Sequence, residues 1–148
     1  MSVLKSKQME ISVTDMHTGG EPLRIITGGY PEVKGDTILE KRNYTKKYLD
    51  QYRKMLMFEP RGHFDMYGAL LVKPDIEEAD AAVLFMHNEG YSTMCGHAVM
   101  ALGRYIVDNK LLKDQKKMVQ NGKIQTNIQC PCGLVTAEVD IKDGTTGR

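Results

Sequence analysis

Net charge is nearly absent: 20 Lys and Arg against 19 Asp and Glu leave +1. Nucleic acid and anionic membranes attract proteins through accumulated positive charge, so neither is expected as a partner. Long apolar runs are missing as well. Nothing approaches the roughly 20 residues that cross a bilayer as a helix, and the stretch Met1 to Gln8 lacks the apolar core of a secretory signal. Cysteine is scarce and odd in number, three in all. That argues against a disulfide framework and for a reduced, cytoplasmic setting. No internal repeat or low-complexity tract is visible. With 41% hydrophobic and 26% charged residues, what remains is the composition of an ordinary globular protein. Its 148 residues are enough for one domain with its own core.

Along the chain, residues 1–9 read as a loose leader. Ile11 and Val13 alternate with Ser12 and Thr14, a strand that ends near Asp15. Asp15-Met16-His17-Thr18-Gly19-Gly20-Glu21-Pro22 follows as a wide polar loop whose His, Thr and acidic residues suit the wall of a site. Leu23 to Thr27 returns as a second strand, closed by Gly28-Gly29. From about Asp36 to Met57 the pattern predicts one helix, with Tyr44, Tyr48, Tyr52 and Met55 on a stripe beside Leu49 and Leu56. Lys41, Arg42, Lys46, Lys47, Arg53 and Lys54 fill the rest, a basic face expected to be solvated. Pro60 ends that helix. Pro60-Arg61-Gly62-His63 is a second polar loop, Met66 to Val72 a strand, and Ala81 to His87 an apolar strand. Beyond Asn121-Gly122, Ile124 to Gln129 and Gly133 to Ile141 alternate as two more. The sum is an α+β domain with many strands and two helices.

The chain is organised around His87-Asn88-Glu89-Gly90-Tyr91-Ser92-Thr93-Met94-Cys95-Gly96-His97-Ala98. This stretch begins where the apolar run Ala81 to Met86 stops, and it leads into a helix. Ala98, Ala101, Leu102 and Tyr105 recur at i, i+3, i+4 and i+7, Val99 and Ile106 widen the stripe, and Asn109 suits the C-terminus. Ser92 or Thr93 is expected as the N-cap, which puts Cys95 in the first turn beside the amides of Gly96 and His97. Those first N–H groups have no partner within the helix and carry the positive end of its dipole. An anion is welcome there, and a thiol gives up its proton more readily. Gly96 has no side chain to keep a ligand off the backbone. A cysteine on a helix is more often a small buried apolar residue; the first-turn position, with His97 two residues on, favours chemistry.

Metal and hydrolase readings compete with this one. Cys130-Pro131-Cys132 has one intervening residue, too few for a zinc knuckle. His87-Asn88-Glu89 matches half of a zinc deaminase signature, but the Pro-Cys-x-x-Cys half is absent after Cys132. A Cys–His hydrolase that pairs Cys95 with His17, His63 or His87 stays open. Proton abstraction next to a carboxylate fits better. Helix-terminal amides grip the carboxylate and stabilise the charge that builds up as the α-proton leaves. A thiolate beside them is a compact base, and no metal or organic cofactor is required.

Three blocks taken together resemble the proline racemase family. They are Asp15-Met16-His17-Thr18-Gly19-Gly20-Glu21-Pro22-Leu23-Arg24, Pro60-Arg61-Gly62-His63 with Met66-Tyr67-Gly68-Ala69, and Asn88-Glu89-Gly90 with Met94-Cys95-Gly96-His97. The resemblance runs from about Ser12 to Ile141 and leans, through Cys130-Pro131-Cys132-Gly133-Leu134-Val135-Thr136 among others, towards members that dehydrate hydroxyproline. It implies a diaminopimelate-epimerase-like fold of two similar halves, each a mixed or antiparallel sheet wrapped round a central helix, with the site between them. Residues 1–148 are then the N-terminal lobe, with the second lobe absent. It implies further that Cys95 takes the proton, that the amides of Gly96 and His97 hold the carboxylate, and that the His97 side chain reaches the substrate amine. Leu70 is implied to line the apolar side of the pocket, while His17 and His63 support the site. The implied reaction is removal of the α-proton of trans-3-hydroxy-L-proline with loss of its hydroxyl as water, giving 1-pyrroline-2-carboxylate without cofactor or metal. A small-molecule substrate and, at full length, a homodimer are the implied partners. Racemases and epimerases of the family carry a second Cys in the other half, where the dehydratases carry Thr. That position lies beyond Arg148, so half of a proline racemase or 4-hydroxyproline epimerase stays open, as does a non-catalytic truncated module. The isolated chain is expected to be inactive.

Overall fold

The computed structural model describes residues 8–147; the leader expected over residues 1–9 lies outside them except for its last two. Seven strands form one sheet whose spatial order follows the sequence. β1 (Ser12–Thr18) and β2 (Glu21–Gly28) are an antiparallel hairpin. The wide polar loop expected here is instead a two-residue turn, with pairing that runs on to Thr18 and Glu21. Gly19 and Gly20 both take positive φ, 58° and 96°, the requirement of the tight turn that matches strand twist.

Helical crossovers join the hairpins in parallel. Between β2 and β3 (Tyr67–Val72) lie α1 (Ile38–Tyr48) and α2 (Asp50–Met57). β3 and β4 (Ala81–His87) are antiparallel. α3 (Gly96–Asp108) then returns the chain to β5 (Gly122–Cys130), parallel to β4, and β6 (Gly133–Lys142) and β7 (Thr145–Thr146) complete the sheet. Such parallel junctions need a crossover, and the helices supply it.

Among the described residues three α-helices stand where two were expected, because the run over Asp36 to Met57 breaks at Leu49 (φ −123°, ψ 12°). One turn earlier the buried Thr45 returns its hydroxyl to Lys41 O at 2.8 Å, a local bond that bends helices. The start of α1 is fixed by a reciprocal cap between Thr37 and Glu40. The basic face is only partly solvated. Lys41 and Arg53 are buried, Lys41 donating to Lys73 O at 3.0 Å and Arg53 pairing with Asp50.

Two cores flank the sheet. Along β4, Val83 and Phe85 face α3 with Leu23, Ile25 and Ala69; Ala82, Leu84 and Met86 face α1 and α2 with Ile26, Met57 and Leu70. This is why Ala81 to Met86 reads as a continuous apolar run. α3 lies against the inner side and touches both ends of the sheet, β1 at one and β6 and β7 at the other. The sheet therefore curls round α3, the α+β lobe with a central helix that the resemblance implied. A groove lined by His17, Thr18, Met100, Arg104 and Thr136 stays open between the two ends. Among the described residues, no helix is long and apolar enough to cross a membrane.

The hydrogen-bonded Arg53 guanidinium holds the Asp50 carboxyl below its ordinary value. A carboxyl depressed on folding stabilises above its unfolded pKa, near 4, and that stabilisation fades as pH falls through the folded value. Asp50→Asn is therefore expected to lower stability at neutral pH, with the gap to wild type closing below about pH 4; urea titrations at several pH values measure it.

Candidate active site at the tip of the central helix

The site is delivered by β4. After His87 the chain makes a tight turn, His87 N donating to Gly90 O at 2.9 Å, buries Tyr91 and reaches Cys95. α3 begins at Gly96, so Cys95 is itself the N-cap (φ −150°, ψ 116°) rather than a first-turn residue. Ser92 and Thr93, expected as caps, are engaged elsewhere. The Ser92 hydroxyl bonds the Tyr67 phenol, and Thr93 O accepts from Cys132 N at 3.2 Å. No side chain caps the helix; the first amide to bond back is Val99 N, to Cys95 O at 3.0 Å. The amides of Gly96, His97 and Ala98 thus meet no acceptor within the helix, at the end where the dipole favours negative charge.

Cys95 is half-buried, and its Sγ lies 3.2 Å from His97 Nδ1. On the other side of that ring, Nε2 is 3.2 Å from Pro22 O. A carbonyl only accepts, so Nε2 carries a hydrogen and Nδ1 turns its lone pair to the sulfur when the ring is neutral. The pair can therefore pass a proton between sulfur and imidazole, the arrangement of an activated cysteine. Thr18 Oγ1 donates to His97 O at 2.9 Å, so the turn end of the β1–β2 hairpin grips the helix tip from the side.

Tyr67 was missed from sequence. Its ring stands edge-on to His97 at 5.2 Å and stacks on His87 at 5.8 Å. Burial pushes its phenol well above the ordinary value, with Ser92 pulling it down and the neighbouring Cys95 pushing it up. It keeps its proton at neutral pH and presents a donor beside the sulfur. The available signal was the alternation over Met66 to Val72, which puts Tyr67, Ala69 and Leu71 on one face; pairing with β4 decides that this face meets α3. Leu70 lies on the opposite face, buried between Ile26 and Leu84 in the other core, and is not brought to Cys95. His17 is exposed and accepts from Gly20 N at 3.1 Å. His63 is exposed too and accepts from Asp65 N at 3.1 Å. Neither side chain meets Cys95 in a hydrogen bond: each folds back on its own turn. Among the described residues no group of three or more His, Cys, Asp or Glu is placed to share a metal ion.

Residues 13–148 match the family model described as proline racemase. The chain belongs to the proline racemase family. Curated relatives include trans-L-3-hydroxyproline dehydratase of Saccoglossus kowalevskii, 60% identical over 132 residues, which cover 89% of this chain and 39% of that protein. Trans-3-hydroxy-L-proline dehydratase of Homo sapiens is 57% identical over 134 residues, covering 90% of this chain and 37% of that one. The chain therefore spans less than two fifths of the length of these relatives. Among solved structures, a hydroxyproline epimerase from Agrobacterium vitis with bound trans-4-hydroxy-L-proline superimposes with a TM-score of 0.79 over 92% of this chain and 39% of the other. A probable proline racemase from Agrobacterium radiobacter with bound carbonate has the same score and coverage. Both are 22% identical, which establishes a shared family fold.

Gly96 opens α3 next to Cys95, and a Cβ built on it would meet nothing within 4 Å. Gly96→Ala is expected to leave thermal stability within a few tenths of a kcal/mol or slightly raise it. The same variant tests whether the open amides bind a carboxylate: if they do, affinity for proline-type carboxylates falls about tenfold or more, as when a hydrogen bond to a charged group is lost, and unchanged affinity rules it out. Thermal melts and calorimetric titration read the two effects separately.

Proposed function

We propose that this chain is the N-terminal lobe of an enzyme that dehydrates trans-3-hydroxy-L-proline to 1-pyrroline-2-carboxylate, with Cys95 as the base. The observation that carries the reading is the Cys95–His97 pair at an uncapped helix terminus. The substrate class rests on identity of 57–60% to proteins named as trans-3-hydroxyproline dehydratases. The substrate carboxylate docks on the amides of Gly96 and His97, where the helix dipole and N–H groups stabilise charge that spreads onto it. The Cys95 thiolate takes the α-proton. The electron pair left behind forms the ring double bond as the 3-hydroxyl takes a proton from solvent and departs as water, and the proton on Cys95 returns to solvent through His97. The enamine so produced tautomerises to the imine, 1-pyrroline-2-carboxylate. His97, anchored on Pro22 O, holds the sulfur on line and offers Nδ1 to the proton it has gained. Tyr67 fixes the approach through Ser92. Nothing in these steps calls for a cofactor.

The test uses a two-lobe enzyme, this chain fused to the remaining part of the Xenopus tropicalis relative. The fusion is expected to convert trans-3-hydroxy-L-proline, and Cys95→Ser to lower kcat by roughly 10²–10⁴-fold, the worth of a general base. Retained turnover in Cys95→Ser sinks the base assignment. α-Proton exchange with inversion, and no loss of water, would instead identify a racemase or epimerase half. The 148-residue chain alone is expected to turn nothing over.

A further inference from the structure

Two arginines, Arg42 of α1 and Arg53 of α2, converge on one short stretch of backbone. Arg53 Nη1 donates to His87 O at 2.9 Å and to Asn88 O at 2.8 Å. Arg42 Nη2 donates to Tyr91 O at 2.6 Å. Behind Arg53, Asp50 closes a two-pronged pair, Nε to Oδ1 at 2.7 Å and Nη2 to Oδ2 at 3.0 Å. The guanidinium also lies 5.7 Å from the ring centres of Phe58 and Tyr91 and is 5% exposed. Taking a guanidinium out of water is costly, and an apolar side chain of similar volume would pack α2 against the sheet without that cost. What an apolar residue cannot do is hold two successive carbonyls of a turn, which the planar fork of Arg does.

That turn leads to Cys95. Its other anchors are of the same kind. Asn88 Nδ2 donates to His63 O at 2.8 Å and Phe64 O at 3.0 Å, and further along Ser92 and Thr93 are tied to Tyr67 and Cys132. The amides of the cradle belong to α3 and stay with its buried face. Cys95, as N-cap, is held from two sides: its carbonyl accepts from Val99 N of α3 at 3.0 Å, and the segment before it sets the approach of the chain.

We propose that Arg53, braced by Asp50 and seconded by Arg42, is a positioning residue for Cys95: it clamps the His87–Tyr91 turn so that the sulfur meets the cradle in register. The clamp touches no substrate, and it rests on the reading of Cys95 as the base. A displacement of about 1 Å can cost on the order of 100-fold in rate, so a loosened turn acts on kcat while the cradle, and with it KM, changes little.

The experiment compares Arg53→Met, Arg53→Lys and Arg42→Met in the two-lobe fusion. Arg53→Met is expected to lower kcat about 10–100-fold with KM within about twofold of wild type. Arg53→Lys, able to reach one carbonyl, should recover part of the loss, and Arg42→Met should give a smaller loss of the same kind. Amide hydrogen exchange should speed up within residues 87–95 and stay unchanged in α3. Unchanged kcat overturns the proposal, and so does protection lost equally from α3 and β4, the mark of a merely structural residue. If Arg53→Met does not fold, Arg42→Met carries the same comparison, and full activity there overturns it. Failure of the base assignment is distinct: it appears as turnover in Cys95→Ser, whatever the arginine variants do.

Discussion

The unspent amides at the start of α3 are the constraint on which the rest of the site depends. A helix end normally takes a side-chain oxygen, water or ligand onto its first N–H groups. Here the nearby polar side chains are committed elsewhere: Ser92 to Tyr67 and the His97 ring to Pro22 and Cys95. What is left over is a row of donors and one sulfur. Electrostatic preorganisation of this kind works because the donors are already aimed, so nothing has to reorient as charge develops.

Holding donors ready requires a rigid frame, and the two cores provide it. α3 is packed along its length by Ala98, Leu102 and Ile106 against a sheet that curls to meet it from both ends. β4 is buried on both faces and fixes where the next segment starts. Between these two rigid bodies runs the segment from His87 to Cys95, closed on itself by one backbone bond, His87 N to Gly90 O. Arginines from the opposite face of the sheet add further restraint. Burial of Arg53 on α2 is matched by the carbonyls of His87 and Asn88, as burial of Lys41 on α1 is matched by Lys73 O.

Much of this was legible in the sequence, and the exceptions have physical causes. The period of Ala98, Ala101, Leu102 and Tyr105 found α3, and the run Ala81 to Met86 found β4, because burial imposes those patterns directly. The short range of helix capping placed Cys95 at the helix start to within one residue; the cap shifted because Ser92 and Thr93 are bound by residues distant in sequence, which local chemistry does not reveal. Arg53 and Lys41 looked solvated because periodicity records side-chain type and not the carbonyls a long side chain can reach. The Tyr67 and Leu70 contrast is one of strand parity. Neighbouring residues on β3 face opposite cores, and only its pairing with β4 decides which faces the sulfur.

The openness of the site bears on what the lobe does. Thr93, Met94 and Gly96 around Cys95 are exposed, so the sulfur and the amides form a shelf and not an enclosed chamber. On a shelf, water competes for the same amides and solvates a thiolate, which weakens it as a base; closing the site removes that competition and strengthens each charge interaction within it. Among the described residues, the Cys95 sulfur, the open amides of α3 and the arginine-held turn all lie on one side of this shelf. The chain spans under two fifths of the length of its relatives, and under the proposed function the rest of such a protein closes the shelf. On that reading the rigidity built around Cys95 is matched to its task. A base that must act on a ligand held between two bodies can be aligned only if its own body does not give.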